Sequence, residues 1–225
     1  SECLVGSEMC IRDRMMTGRD EVELKPILLN GTYAIMKTYT KPYASCRYTH
    51  PSVEAAIHLR ERVRVEDIER IDIKTYSLAV AGHDHTDIPG SYSAKMSIPY
   101  ATAAGFIYGK AGLQEFSEER VCGKAIFDLT KKIHVEPDAE LSALFPGIQA
   151  AIVNVTRRDG SILTERVDFP KGEPENPLDE MEFKSRYDDL MKYGHQTSGD
   201  EVYRLIYAKE TKIRKVMELM RGGMK

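Results

Sequence analysis

Lys41-Pro-Tyr-Ala-Ser-Cys-Arg-Tyr-Thr-His50-Pro51 crowds Lys41, Arg47, His50 and several hydroxyls into eleven residues. Pro42 and Pro51 stiffen the two edges, and Pro42 biases Lys41 toward an extended backbone. Lysine offers a point charge, arginine a planar fork that matches a carboxylate, and histidine a proton that moves near neutral pH. Residues 41–50 carry two positive charges and no acidic side chain. A segment of this kind can aim several donors at one small anion. The alternative is a polar loop between two elements, since loops gather such residues in any case.

The surrounding elements must hold that loop. Gly31–Tyr43 is rich in Thr, Tyr and Ile and predicts a strand leading into it. A helix is expected over Ser52–Val63, with Ser52 as N-cap and Val53, Ala56 and Ile57 on one face. Glu69–Val80 predicts a second strand, with a bulge near Thr75 where the apolar phase switches. Ala94–Tyr108 has helical spacing, but Pro99 requires the helix to start at Ile98 or to kink there. Ser117–Lys132 predicts another helix, opened by Ser117-Glu-Glu-Arg. Ile148–Thr156 and Ile162–Asp168 flank Arg157-Arg-Asp-Gly160, a strong hairpin signal. Pro170–Pro177 holds three prolines in eight residues and reads as the linker that ends the domain. Two apolar-striped helices follow, over about 179–193 and 199–221. The fold class is thus α+β: a lid-type domain of mixed strands and helices over 30–174, then a C-terminal helical pair over 175–225.

Composition narrows the rest. A net charge of −3 and a pI near 6.1 speak against a nucleic-acid surface, although a locally basic site can still take an anion. No run of 18 apolar residues marks a membrane span. Cys3, Cys10, Cys46 and Cys122 have no CxxC spacing and no signal peptide precedes them, so reduced thiols in a cytoplasmic protein are expected. His83-Asp84-His85-Thr86-Asp87 invites a metal reading, but two histidines flanking one aspartate on an extended segment fit a hydrogen-bonded turn better, and no metal is expected. Gly105, Gly109 and Gly112 lack the Lys-Ser/Thr of a phosphate loop. Residues 1–14, within an expected non-native or disordered tail over 1–29, look like translated adaptor sequence.

The string KPYASCRYTHP resembles the lid-domain signature of the MmgE/PrpD (2-methylcitrate dehydratase) family. GHDHTDIPGSYSAKMSIPYATAAGFIYGKAG at 82–112, FSEERV at 116–121 and FPKGEPENP at 169–177 agree with it in the same order. The resemblance spans roughly residues 30–195. It implies a cofactor-free lyase acting on a small polycarboxylate, most simply dehydration of 2-methylcitrate or a related hydroxy-tricarboxylate, with decarboxylase and epimerase relatives as alternatives. It further implies a homodimer and a helical N-terminal domain that supplies much of the active site. That domain has no counterpart here, so the chain is expected to show no turnover alone. By position in the motif, Lys41, Arg47, Thr49 and Lys95 match substrate-binding residues, while Tyr100 and His50 match catalytic ones. Cys46 stands where a decarboxylase relative has histidine. A reading of a different class, a non-catalytic binding module, predicts no large exposed apolar face over residues 179–221.

Overall fold

A computed structural model describes residues 34–196, 199–208 and 213–222. Ala34–Lys37 is a short 3-10 turn in an N-terminal unit of its own, and everything described from Thr38 onward belongs to a second unit. The order in that unit is α1 (His50–Leu59), β1 (Ile68–Thr75), α2 (Ser77–Val80), α3 (Ser91–Met96), α4 (Ile98–Tyr108), α5 (Glu118–Val121), α6 (Lys124–Thr130), β2 (Ile133–Pro137), α7 (Ala139–Leu144), β3 (Ala151–Arg157), β4 (Ile162–Val167), α8 (Glu180–Tyr193), α9 (Gly199–Tyr207) and α10 (Ile213–Gly222). The α+β class stands, with helices after the lid.

One sheet of order β2-β1-β3-β4 organises the lid; β1 and β2 are parallel and the other neighbours antiparallel. Ala151, Val153 and Val155 are buried while Ile152, Asn154 and Thr156 are less so, the alternation of a sheet with one face on a core. Ile71 and Ile73 continue that apolar face on β1. α1 covers it, and α4 packs on α1. Thr49, His50 and the first residues of α1 are buried with it, so the signature loop is anchored in the core at the helix entrance.

Close approach of α1 and α4 depends on Gly105. A Cβ there would sit 2.9 Å from the Val53 carbonyl oxygen and 3.0 Å from Ala56 Cβ. Alanine gains about 1 kcal/mol of helix propensity over glycine, but overpacking costs about 1–3 kcal/mol. Gly105→Ala is therefore expected to lower stability by about 1–2 kcal/mol, a fall of several degrees in Tm by thermal denaturation.

Several expected elements differ. Thr38–Tyr43, expected in a strand, pairs with no strand; Thr40 N–H instead donates to the Gly172 carbonyl at 2.9 Å. The Gly31–Tyr33 part of that expectation lies outside the described residues, as does the tail over 1–29. The second strand stops at Thr75, and Leu78 and Val80 lie in the turn of α2. Its register irregularity falls between Ile68 and Arg70, at the other end from the expected bulge. Pro99 is accommodated by a break: Ser97 ends α3 and caps α4, its Oγ accepting from Tyr100 N–H at 3.1 Å. The helix over 117–132 is interrupted at Cys122-Gly123. The Asp-Gly hairpin forms as expected, with Gly160 at φ +83°.

α8 begins with a reciprocal cap between Asp179 and Glu182. It reaches the lid through polar contacts: Arg186 Nε donates to the Lys41 carbonyl at 2.6 Å, and Lys171 Nζ lies 3.0 Å from Glu182. Among the described residues of α8–α10, only Gly199 and Val202 are buried. Met181, Ile213 and Met217 are exposed, and no described helix is long and apolar enough to cross a membrane.

Candidate active-site loop

Residues 39–50 wrap around one imidazole. His50 is wholly buried at the start of α1. Its Nε2 lies 3.3 Å from the Ser45 carbonyl, and the Tyr39 hydroxyl meets its Nδ1. A carbonyl only accepts, so Nε2 carries the proton and the Tyr39 O–H donates to Nδ1. The rings of Tyr39 and Tyr43 stand edge-on to the imidazole, with centroids 5.5 and 5.1 Å away. Burial, with smaller contributions from the Arg47 and Lys41 charges, pushes the His50 pKa down to about 3. His50 is therefore a neutral imidazole with both nitrogens engaged.

Arg47 is the cation at the centre. Its guanidinium lies 4.6 Å over the Tyr39 ring, and one terminal nitrogen, Nη2, pairs with Glu173. The other, Nη1, is buried and has no hydrogen-bond partner among the described residues. An unsatisfied buried donor costs about 1–3 kcal/mol, and an incoming carboxylate would recover that cost. Glu173 arrives on the strap Pro170–Pro177, which Glu54 of α1 fastens down: this buried carboxylate accepts from Lys171 N–H and from Asn176 Nδ2. Burial, with the Glu54 charge nearby, raises the Tyr43 pKa.

Lys41 is exposed, with Nζ donating to the Ser45 carbonyl at 2.9 Å, which leaves two N–H donors directed elsewhere. Thr49 is buried; its Oγ1 lies 2.7 Å from Ser45 Oγ and donates to the Cys46 carbonyl at 3.0 Å. Lys95 meets the loop through its backbone, where its carbonyl accepts from Cys46 N–H at 2.8 Å. Tyr100 is elsewhere in the core, packed on Phe116, with its hydroxyl donating to the Glu115 carbonyl at 2.8 Å and its pKa raised by burial. Four of the six residues singled out from the sequence thus share one loop, Lys95 borders it, and Tyr100 holds α4 to the segment after it.

The 82–90 segment is a hydrogen-bonded turn. His83 Nδ1 lies 3.0 Å from the Ala81 carbonyl, His85 Nε2 lies 3.1 Å from Ser93 Oγ, and Ser97 Oγ donates to the His85 carbonyl at 2.6 Å. Among the described residues no three His, Cys, Asp or Glu side chains converge on a cation position. Cys46 Sγ faces His83 Nε2 at 3.7 Å. Sequence reasoning missed Tyr39, Glu54 and Glu173. The prolines of FPKGEPENP signal a boundary, and no sequence signal shows that the segment also lies as a strap across the loop.

The family model described as MmgE/PrpD C-terminal domain matches residues 43–209. Among characterised proteins, cis-aconitate decarboxylase of Aspergillus terreus is 25% identical over 173 residues, covering 69% of this chain and 35% of the relative. The chain therefore spans about a third of that protein's length.

Proposed function

Because the chain belongs to the MmgE/PrpD family, we propose that it is the lid portion of a lyase that binds a small polycarboxylate at Arg47 and Lys41. The observation that carries this reading is Arg47 Nη1, a buried cationic donor without a partner among the described residues, in a loop that concentrates positive charge. The preferred reaction is dehydration of 2-methylcitrate or a similar hydroxy-tricarboxylate. In that reaction a base removes a proton beside a carboxylate, an acid protonates the departing oxygen, and fixed cations hold the charge that develops. Arg47 and Lys41 supply the cations. Thr49 and the Lys95 backbone keep the loop in shape.

His50 and Tyr100 face inward, on Tyr39 and Ser45 and on Glu115 respectively. In this geometry they fix the loop and α4, and the principal base comes from a companion helical portion. The exposed apolar residues of α8–α10 are the surface that portion would cover, in an enzyme that pairs as a homodimer. The name of the Aspergillus relative favours a second reading, decarboxylation of cis-aconitate. The same cation pair would serve it, and released carbon dioxide separates the two.

Arg47→Lys keeps the charge and removes the fork. In the protein combined with a helical portion, it is expected to lower kcat/KM by about 100-fold, roughly 2.7 kcal/mol of transition-state stabilisation. The assay follows unsaturated product by ultraviolet absorbance with 2-methylcitrate, citrate and cis-aconitate. An unchanged kcat/KM would remove Arg47 from the site.

A further inference from the structure

We infer that a second anion site lies at the opposite end of α1, built to take a compact polyanion of the polyphosphate class. The segment leaving α1 and the β3–β4 hairpin border an open cleft of about 510 Å³, within the size range of small-molecule sites. Five arginines line it against three carboxylates, in a chain whose net charge is −3. Such a local excess of one sign focuses an attractive field on an oppositely charged ligand.

The manner in which the arginines are held matters more than their number. Arg157 Nη2 donates to the Arg62 carbonyl at 2.6 Å, and Arg158 Nε donates to the Glu66 carbonyl at 3.0 Å. Arg60 Nε donates to the Phe106 carbonyl at 3.1 Å. Main-chain carbonyls fix a guanidinium without cancelling its charge. Among the described residues no carboxylate makes an ion pair with these three. The other two are paired with carboxylates: Arg64 closes its fork on Asp67 at 2.9 and 3.2 Å, and Arg62 lies 3.8 Å from Glu165. Asp159 turns back on Ser161, accepting from its N–H and its hydroxyl. The hairpin is also locked to the start of β1, since Arg158 N–H donates to the Asp67 carbonyl at 3.0 Å. On the hairpin wall the Arg157 and Arg158 guanidiniums are therefore oriented before a ligand arrives, which limits the ordering cost of binding.

The lining also selects the ligand class. Among the described residues that line it, Val63 is the one apolar side chain and none is aromatic, so they offer no face on which a base could stack. Planar guanidinium forks on two walls favour a ligand with several oxyanion groups over a single carboxylate. The site is separate from the Arg47 loop, since the ten residues of α1 place its two ends about 15 Å apart.

The test is calorimetric titration of the full chain with tripolyphosphate at low salt. One saturable site is expected. The exposed pair Arg62→Gln/Arg158→Gln should weaken it by at least about tenfold. Asp159→Asn, which removes a negative charge and keeps an acceptor for Ser161, should tighten it, and Arg47→Gln should leave it unchanged. Absence of saturation by about 1 mM, an unaltered affinity in the Arg62/Arg158 pair, or loss of binding in Arg47→Gln would each overturn the proposal. Should the double variant fail to fold, judged by circular dichroism, a failure of Asp159→Asn to tighten binding would overturn it. None of these outcomes depends on lyase activity.

Discussion

Replacing Gly172 by alanine is expected to cost the protein about 3–5 kcal/mol and to lift Glu173 away from Arg47. Gly172 has φ +94°, and an added Cβ would fall 1.8 Å from the Thr40 carbonyl oxygen, 3.0 Å from its carbon and 3.2 Å from Pro42 Cδ. The obstacle is backbone, which has no rotamer to yield. The strap would have to separate from residues 40–42, breaking the Thr40 N–H to Gly172 carbonyl bond and straining the turn closed by Gly172 N–H on the Asn176 carbonyl at 2.8 Å. Gly160 is the control. It has φ +83° but nothing within 4 Å of a Cβ, so Gly160→Ala pays only backbone strain, about 1–2 kcal/mol. Urea unfolding of both variants checks the difference, and trypsin should cut faster after Lys171 in Gly172→Ala. Equal losses in the two variants would mean that the strap is not packed as described.

The second large effect is on acid stability. His50 titrates near 3 when folded and near 6.5 in an unfolded chain. Below about 6.5 the unfolded state therefore binds a proton that the folded state refuses, and stability falls as pH drops toward 3. Between pH 7 and pH 5 the loss from this one residue approaches about 2 kcal/mol, at 1.36 kcal/mol per pH unit once the unfolded histidine is titrating. His50→Gln removes the titration. That variant should be weaker at pH 7, because Tyr39 and Ser45 lose fitted partners, yet show a flatter decline on acidification. Urea midpoints at pH 7, 6 and 5 give the comparison. Parallel declines in wild type and variant would contradict a buried neutral His50.

The parts of the fold that could be read from the sequence are those in which local signals agree with burial. Asp159-Gly160 sets the β3–β4 hairpin, and the Val53/Ala56 spacing sets α1. β2 escaped because Ile133-His-Val-Glu-Pro is short, alternates only two apolar residues with polar ones and ends in proline; it becomes a strand where β1 offers a parallel edge. Thr38–Tyr43 departs from its sequence signal for the opposite reason. Its composition suits a strand, but its backbone partner is the Gly172 strap, more than a hundred residues later. The site divides in the same way. Lys41, Arg47, Thr49 and His50 could be read from the spacing of one loop and its family resemblance. Glu54 and Glu173 could not, since their pairing with Asn176 and Arg47 is made by tertiary packing across 122 and 126 residues.

The apolar residues left open on α8–α10 also bear on the rival reading of a non-catalytic module, which requires no large exposed apolar face there. Met181 is 80% exposed and Ile213 79%. Side chains of this kind on amphipathic helices mark a surface that ordinarily meets another protein layer. That observation agrees with a lid awaiting its helical counterpart.

The decisive measurement is turnover of 2-methylcitrate, citrate and cis-aconitate by this chain, alone and mixed with a helical portion of the family. Product should appear only in the mixture. Turnover by the chain alone would contradict the claim that the Arg47 loop is one half of a shared polycarboxylate site.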